Sequence, residues 1–156
     1  DISISYAAHK GTSIDKIIQI MKNKNSLTYT NGLPIIQSSW DVHYLSWVNL
    51  SVPKIIIKYE NMLEDPEKNI YNMVDFLTKN FNFKFNNLET KIDNILKTTN
   101  FLELQKKEGG QGFNEATTNS PFFRKGTSNQ WKDKLNNTQT KIIKQSFAKV
   151  MGELKY

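Results

Sequence analysis

The chain has 156 residues, 38% hydrophobic and 12% aromatic, which is enough to bury the core of one domain and excludes disorder along its whole length. It carries 21 Lys and Arg against 15 Asp and Glu, and the formal charge of +6 suits an anionic partner, whether nucleotide, nucleic acid or acidic membrane. Cysteine is absent and the imidazoles are His9 and His43 alone, which excludes disulfides and thiolate metal sites, gives zinc little support and fits a reducing, cytoplasmic setting.

No run approaches the roughly 18 apolar residues of a membrane span, and the opening DISISYAAHK lacks the charged-then-apolar layout of a signal peptide. A soluble protein is expected. The aspartate start reads as a chain processed, trimmed or taken from something longer. Ile2, Tyr6 and His9 fall at helical spacing, and Ser13 precedes a second periodic run of Ile14, Ile17, Ile18 and Met21, so two helices are expected with a break near Gly11. Lys22-Asn23-Lys24-Asn25 reads as solvated surface. Asn31-Gly32-Leu33-Pro34 is a turn signal. Ser38 or Ser39 can then cap a helix whose Trp40, Tyr44, Trp47 and Val48 share a face, an aromatic stripe expected in the core.

The β-branched run from Val52 to Tyr59, entered through Pro53, predicts a buried strand. Asp65-Pro66-Glu67 supplies an N-cap, a proline at the first helical position and a first-turn acid, leading into Ile70, Met73, Val74 and Leu77 on one face. Leu88, Ile92, Ile95 and Leu96 repeat the stripe, and Asn100 with Glu103 resembles a capping box for a short helix. Residues 109–130 are rich in Gly, Asn, Thr and Ser without a period, and loops of that length are uncommon unless disordered or functional. Ile143, Phe147, Val150, Met151 and Leu154 then lie on one face of a final helix beginning near Asn137 or Thr138. No internal repeat or second-domain boundary is legible, so residues 1–156 are expected to form a single domain.

Within the long loop stands Arg124-Lys125-Gly126, followed by Trp131-Lys132. Arginine offers a planar fork, lysine a point charge, and glycine lets backbone N–H groups approach an oxygen closely, so the three together can trap a phosphate. Read in isolation, the tripeptide is a solvated turn. Thr99 is an ordinary cap, Phe101 an ordinary core residue and Tyr59 a packed strand residue.

Read together, these segments resemble the sulfotransferase family. Arg124-Lys125-Gly126 ahead of Trp131-Lys132 is similar to the family's 3′-phosphate-gripping segment. Tyr59-Glu60 with Met62-Leu63-Glu64-Asp65-Pro66 resembles its strand-to-helix segment, and Thr98-Thr99-Asn100-Phe101 its adenine-contacting segment. The opening Asp1 to Tyr6 is similar to the end of its other 3′-phosphate motif, and Ser39-Trp40 with His43 and Trp47 to the helix before the strand. Five segments thus occur in family order along nearly the whole chain.

The resemblance implies an α/β fold related to P-loop kinases, present here as a mostly helical C-terminal portion with a small remnant of parallel sheet. It implies 3′-phosphoadenosine 5′-phosphosulfate as donor, PAP as product, and a small-molecule acceptor with a hydroxyl or amine group, with no metal, nucleic acid or membrane involved. Carried over residue by residue, Ser5 would bond the 3′-phosphate together with Arg124, Lys125 and Gly126. Tyr59 would meet the adenine from the end of a strand, Thr99 would hydrogen-bond the base, Phe101 would pack on or near it, and Leu104 stands where the family often has methionine. Asn129 stands where a second glycine is common; asparagine tolerates the left-handed backbone, which is compatible with the same turn. Residues 132–141 do not carry the dimer motif of cytosolic members. The family's phosphate-binding loop for the 5′-phosphosulfate is not in this sequence, and neither His9 nor His43 matches its histidine base, so no catalytic residue is assigned and little turnover is expected of these residues alone. The alternative is a basic helical module that binds nucleic acid or protein without enzymatic activity.

Overall fold

The structure is a computed structural model that describes residues 1–30 and 33–156, so the Asn31-Gly32 step of the expected turn lies outside the described residues. In chain order the elements are α1 (Ile2–Lys10), α2 (Ile14–Lys22), β1 (Leu27–Thr30), β2 (Leu33–Ile36), α3 (Trp40–Val48), α4 (Tyr59–Glu64) and α5 (Pro66–Phe81), followed by α6 (Leu88–Thr98), α7 (Phe101–Gln111), α8 (Trp131–Lys134), α9 (Asn137–Ser146) and α10 (Ala148–Glu153). They group into two compact units, Asp1–Ser51 with Asn129–Tyr156, and Val52–Ser128. No helix among the described residues is long and apolar enough to cross a membrane.

In the first unit, Gly11 ends α1 in the left-handed region (φ 59°), and the Ser13 hydroxyl starts α2 by accepting from the Lys16 N–H at 3.3 Å. Ile4 and Ala7 of α1, Ile17 and Ile18 of α2, Phe147 and Val150 are buried and form the core of this unit. Helix α9 opens on a reciprocal capping box: the Asn136 side chain accepts from the Gln139 N–H at 2.9 Å, and the Gln139 side chain accepts from the Asn136 N–H at 3.1 Å. The Gln139 amide also donates to the Asp15 carboxylate at 2.9 Å, tying α9 to α2. The expected final helix breaks at Phe147 (φ −121°, ψ 20°), whose buried ring meets Trp40 edge-on at 5.2 Å. Near the other end of the unit, the Trp131 N–H donates to the Asp1 carboxylate at 2.8 Å.

The chain is mostly helical, as expected, but its strands lie elsewhere. β1 and β2 pair antiparallel, with Leu27 opposite Ile36 and Thr30 opposite Leu33. Among the described residues this antiparallel pair is the sheet that forms, in place of the parallel remnant that was expected. The aromatic stripe of α3 is not core either: the helix buries no residue, and Trp47 is 62% exposed. The buried strand expected from Val52 to Tyr59 is not formed, and Val52, Ile55 and Ile56 stand exposed. A β-branched run becomes a strand only where a neighbouring strand completes its ladder, and among the described residues none does.

In the second unit, Asp65 caps α5 by accepting from the Lys68 N–H at 3.0 Å, with Pro66 at the first helical position. The Asn69 amide donates to the carbonyls of Asn61 (2.9 Å) and Asp65 (2.7 Å), joining α5 to α4. Ile70 and Ile92 are the buried apolar residues of α5 and α6. Helix α5 packs on α6, and α6 on α7. Helix α7 runs on through Gly109 and Gly110 to Gln111, so the irregular stretch begins later than the sequence suggests.

Candidate functional site

The Asn100 side chain accepts from the Leu102 N–H at 3.0 Å and so fixes Phe101 as the first residue of α7. From there Phe101, Leu104, Gln105 and Glu108 recur at three- and four-residue spacing, which sets them along one side of the helix. Three of these engage the loop that follows. The Phe101 ring stands edge-on to Phe123, with centroids 6.4 Å apart, and the Gln105 amide donates to the Phe123 carbonyl at 2.8 Å. The two oxygens of Glu108 accept from the N–H groups of Phe122 (2.6 Å) and Phe123 (2.9 Å). Phe113 packs on both of those rings, at 4.8 and 5.1 Å.

This bracing delivers the basic tripeptide to the first turn of α7. The Arg124 N–H donates to the Phe122 carbonyl at 2.9 Å, a tight reversal that leaves the Arg124 side chain half-buried and Lys125 exposed. Gly126 follows with φ 61° and lies so close to Phe101 that a Cβ built on it would overlap the ring. Glycine is therefore required twice here, for the left-handed backbone and for the close approach. Asn129, three residues on in the sequence, is also left-handed (φ 65°), a conformation that asparagine tolerates.

The sequence-derived residues are thus partly assembled. Phe101 meets Gly126 directly; Thr99 precedes it by two residues, and Leu104 follows one turn later, half-buried. Thr99 ends α6, exposed, and its hydroxyl donates to the Ile95 carbonyl at 2.7 Å, which leaves its oxygen able to accept. Tyr59 belongs to the same unit but opens α4, 51% exposed, rather than closing a strand, because the run before it is unpaired. Ser5 is exposed on α1 and belongs to the first unit. Of the two histidines, His9 stacks on the Tyr6 ring at 6.2 Å and His43 is exposed on α3.

Sequence reasoning missed Gln105, Glu108 and Phe113. The periodicity from Phe101 to Glu108 was the available signal for the helix face, but it does not say which loop residues that face meets. A shallow groove of about 710 Å³ along α6 and α7, lined by residues such as Leu96, Thr98, Leu102 and Lys107, includes none of the eight residues singled out from the sequence.

A family model described as the sulfotransferase domain matches residues 2–155. Sulfotransferase 1A1 of cattle (Bos taurus) is 27% identical over 129 residues, covering 78% of this chain and 41% of the relative. Sulfotransferase 1E1 of Cavia porcellus is 32% identical over 126 residues, covering 71% and 36%. The chain spans about two fifths of the length of the curated relatives it matches. Among solved structures, a mouse sulfotransferase complexed with PAP superposes with a TM-score of 0.65 at 20% identity, covering 96% of this chain and 54% of that one, which shows a shared fold. The nucleic-acid-binding alternative gains no support from these matches. On the strength of a family match over nearly every residue and a fold held in common, the chain belongs to the sulfotransferase family.

Proposed function

We propose that this chain forms the 3′-phosphate and adenine side of a donor site for 3′-phosphoadenosine 5′-phosphosulfate, serving sulfuryl transfer to a hydroxyl or amine acceptor. The observation that carries this reading is the close approach of Gly126 to the Phe101 ring, which brings the end of the basic tripeptide to the segment Thr99-Asn100-Phe101. The donor set fits the ligand. Arg124 offers a fork for two phosphate oxygens and Lys125 a mobile cation, while Phe101 offers an aromatic surface for a base and Thr99 an acceptor oxygen. Tyr59 and Leu104, of the same unit, are assigned to the adenine. The similarity of fold to a mouse sulfotransferase complexed with PAP supports the choice of nucleotide.

When bound, the donor supplies the sulfuryl group. The residues of this chain hold and orient the nucleotide, and its two phosphate-side cations offset charge at that end. No catalytic base is assigned, since neither His9 nor His43 matches the family's, and the 156 residues contain no loop for the 5′-phosphosulfate. Binding without turnover is therefore expected of these residues alone, with PAP as the natural probe. A cytoplasmic setting and a small-molecule acceptor complete the reading.

Thermal shift separates this function from the basic-module alternative. PAP is expected to raise the melting temperature, since a ligand at a hundredfold its Kd stabilises by about 2.7 kcal/mol. A random DNA duplex is expected not to; stabilisation by DNA alone overturns the proposal. Arg124→Lys, which keeps the charge and loses the fork, is expected to weaken PAP binding about tenfold in calorimetry. Unchanged affinity removes Arg124 from the site.

A further inference from the structure

We propose that Glu108 is the positioning residue of the basic loop: its carboxylate fixes the backbone ahead of Arg124-Lys125-Gly126 against α7, and thereby sets where the phosphate-binding group stands relative to Phe101. The inference deepens the donor-site reading and, for its ligand consequence, rests on it.

A carboxylate has two acceptor oxygens and no donor, and at Glu108 each oxygen takes one N–H, from Phe122 and from Phe123. Charge-assisted bonds of this length are the stronger kind, and a bidentate pair fixes direction as well as distance. Gln105, one turn earlier on the same helix, donates to the Phe123 carbonyl, so the peptide groups on both sides of Phe123 are held from α7. The loop then has one short step to Arg124 and closes on Phe101 through Gly126. A negative side chain beside an anion site is electrostatically adverse by itself, so its placement here makes sense as backbone bracing.

That opposition of sign provides the test. Glu108→Gln keeps the volume but turns one acceptor into a donor facing a backbone N–H, whereas charge removal alone favours an anionic ligand. Well below the melting temperature, we expect Glu108→Gln to bind PAP about tenfold more weakly, the loss of roughly one charge-assisted bond's worth of positioning. Glu108→Asp, one methylene too short for both amides, is expected to fall between. Glu103→Gln, an equal charge change on the exposed side of α7, is expected to bind no more weakly than the parent. Hydrogen exchange at the Phe122 and Phe123 amides, read by NMR, reports the clamp without any ligand: protection in the parent and its loss in Glu108→Gln is expected. If the parent binds PAP and Glu108→Gln binds it equally or more tightly, the positioning role is overturned while the donor-site reading stands. If the parent does not bind PAP, the donor-site reading fails, and the clamp is upheld or overturned by the two amides alone. Should Glu108→Gln fail to fold, Glu108→Asp, too short to hold both amides, is expected to lose protection from exchange at one of them; undiminished protection at both overturns the bracing.

Discussion

Gly126 combines two constraints that no other residue meets together. Its φ of 61° is costly for an L side chain, and its Cα hydrogens face the Phe101 ring where a methyl group cannot fit. Gly126→Ala is expected to destabilise the chain by about 2 to 4 kcal/mol, from left-handed strain and overpacking together, as read by urea unfolding. A loss below 0.5 kcal/mol would show that the ring simply moves aside. A second residue-scale prediction concerns Asp41. The Ser39 hydroxyl donates to its carboxylate at 2.5 Å and holds its pKa below the ordinary value. Since the folded value lies below the unfolded one, this contribution to stability is present above the ordinary carboxylate pKa and is lost as pH falls through the lowered value. Ser39→Ala should therefore lower stability near neutrality, flatten the acid limb and move the Asp41 titration upward in NMR. An unmoved titration would reject the assignment.

At the scale of elements, the local signals were the readable ones. Ser13, Asp65 and Asn100 cap the helices they were expected to cap, because an N-cap depends only on a side-chain oxygen and an N–H two or three residues on; Asn100 does so through the Leu102 N–H, without the capping box expected with Glu103. Asn136→Ala is expected to cost about 1 to 2 kcal/mol, since it removes half of the capping box that opens α9; denaturant melts check this, and a shift within error rejects it. Helix α7 was misread at its end for the opposite reason. Gly109 and Gly110 each cost about 1 kcal/mol in a helix, and the local reading stops there. The tertiary bonds made by Gln105 and Glu108 stabilise the turn before them, and the helix continues to Gln111. Residues 52–57 show the same limit for strands: their composition is that of a strand, and the ladder that would make them one is not formed among the described residues.

For the molecule as a whole, burial rather than hydrophobicity decides where stability resides. Ile17 is 0% exposed and Ile56 is 54% exposed, although the sequence presents both as members of apolar runs. Ile17→Ala is expected to cost about 2 to 5 kcal/mol, and Ile56→Ser less than about 0.5 kcal/mol, in parallel chemical denaturation; equal losses would show that Ile56 is packed in solution. The sequence by itself determined the helical periodicities, the caps and the family, because each of these is written in residue types at short, fixed spacing. The conjunction of Arg124-Lys125-Gly126 with Thr99-Asn100-Phe101 in family order was legible for that reason. What only the tertiary structure decided was which apolar faces are covered, the antiparallel pairing of β1 with β2, and the way the basic tripeptide is held. Gly126 rests on Phe101 and Glu108 grips the amides of Phe122 and Phe123 across gaps of more than a dozen residues. Contacts at that separation depend on where the helix and loop come to lie, and no local pattern encodes that position.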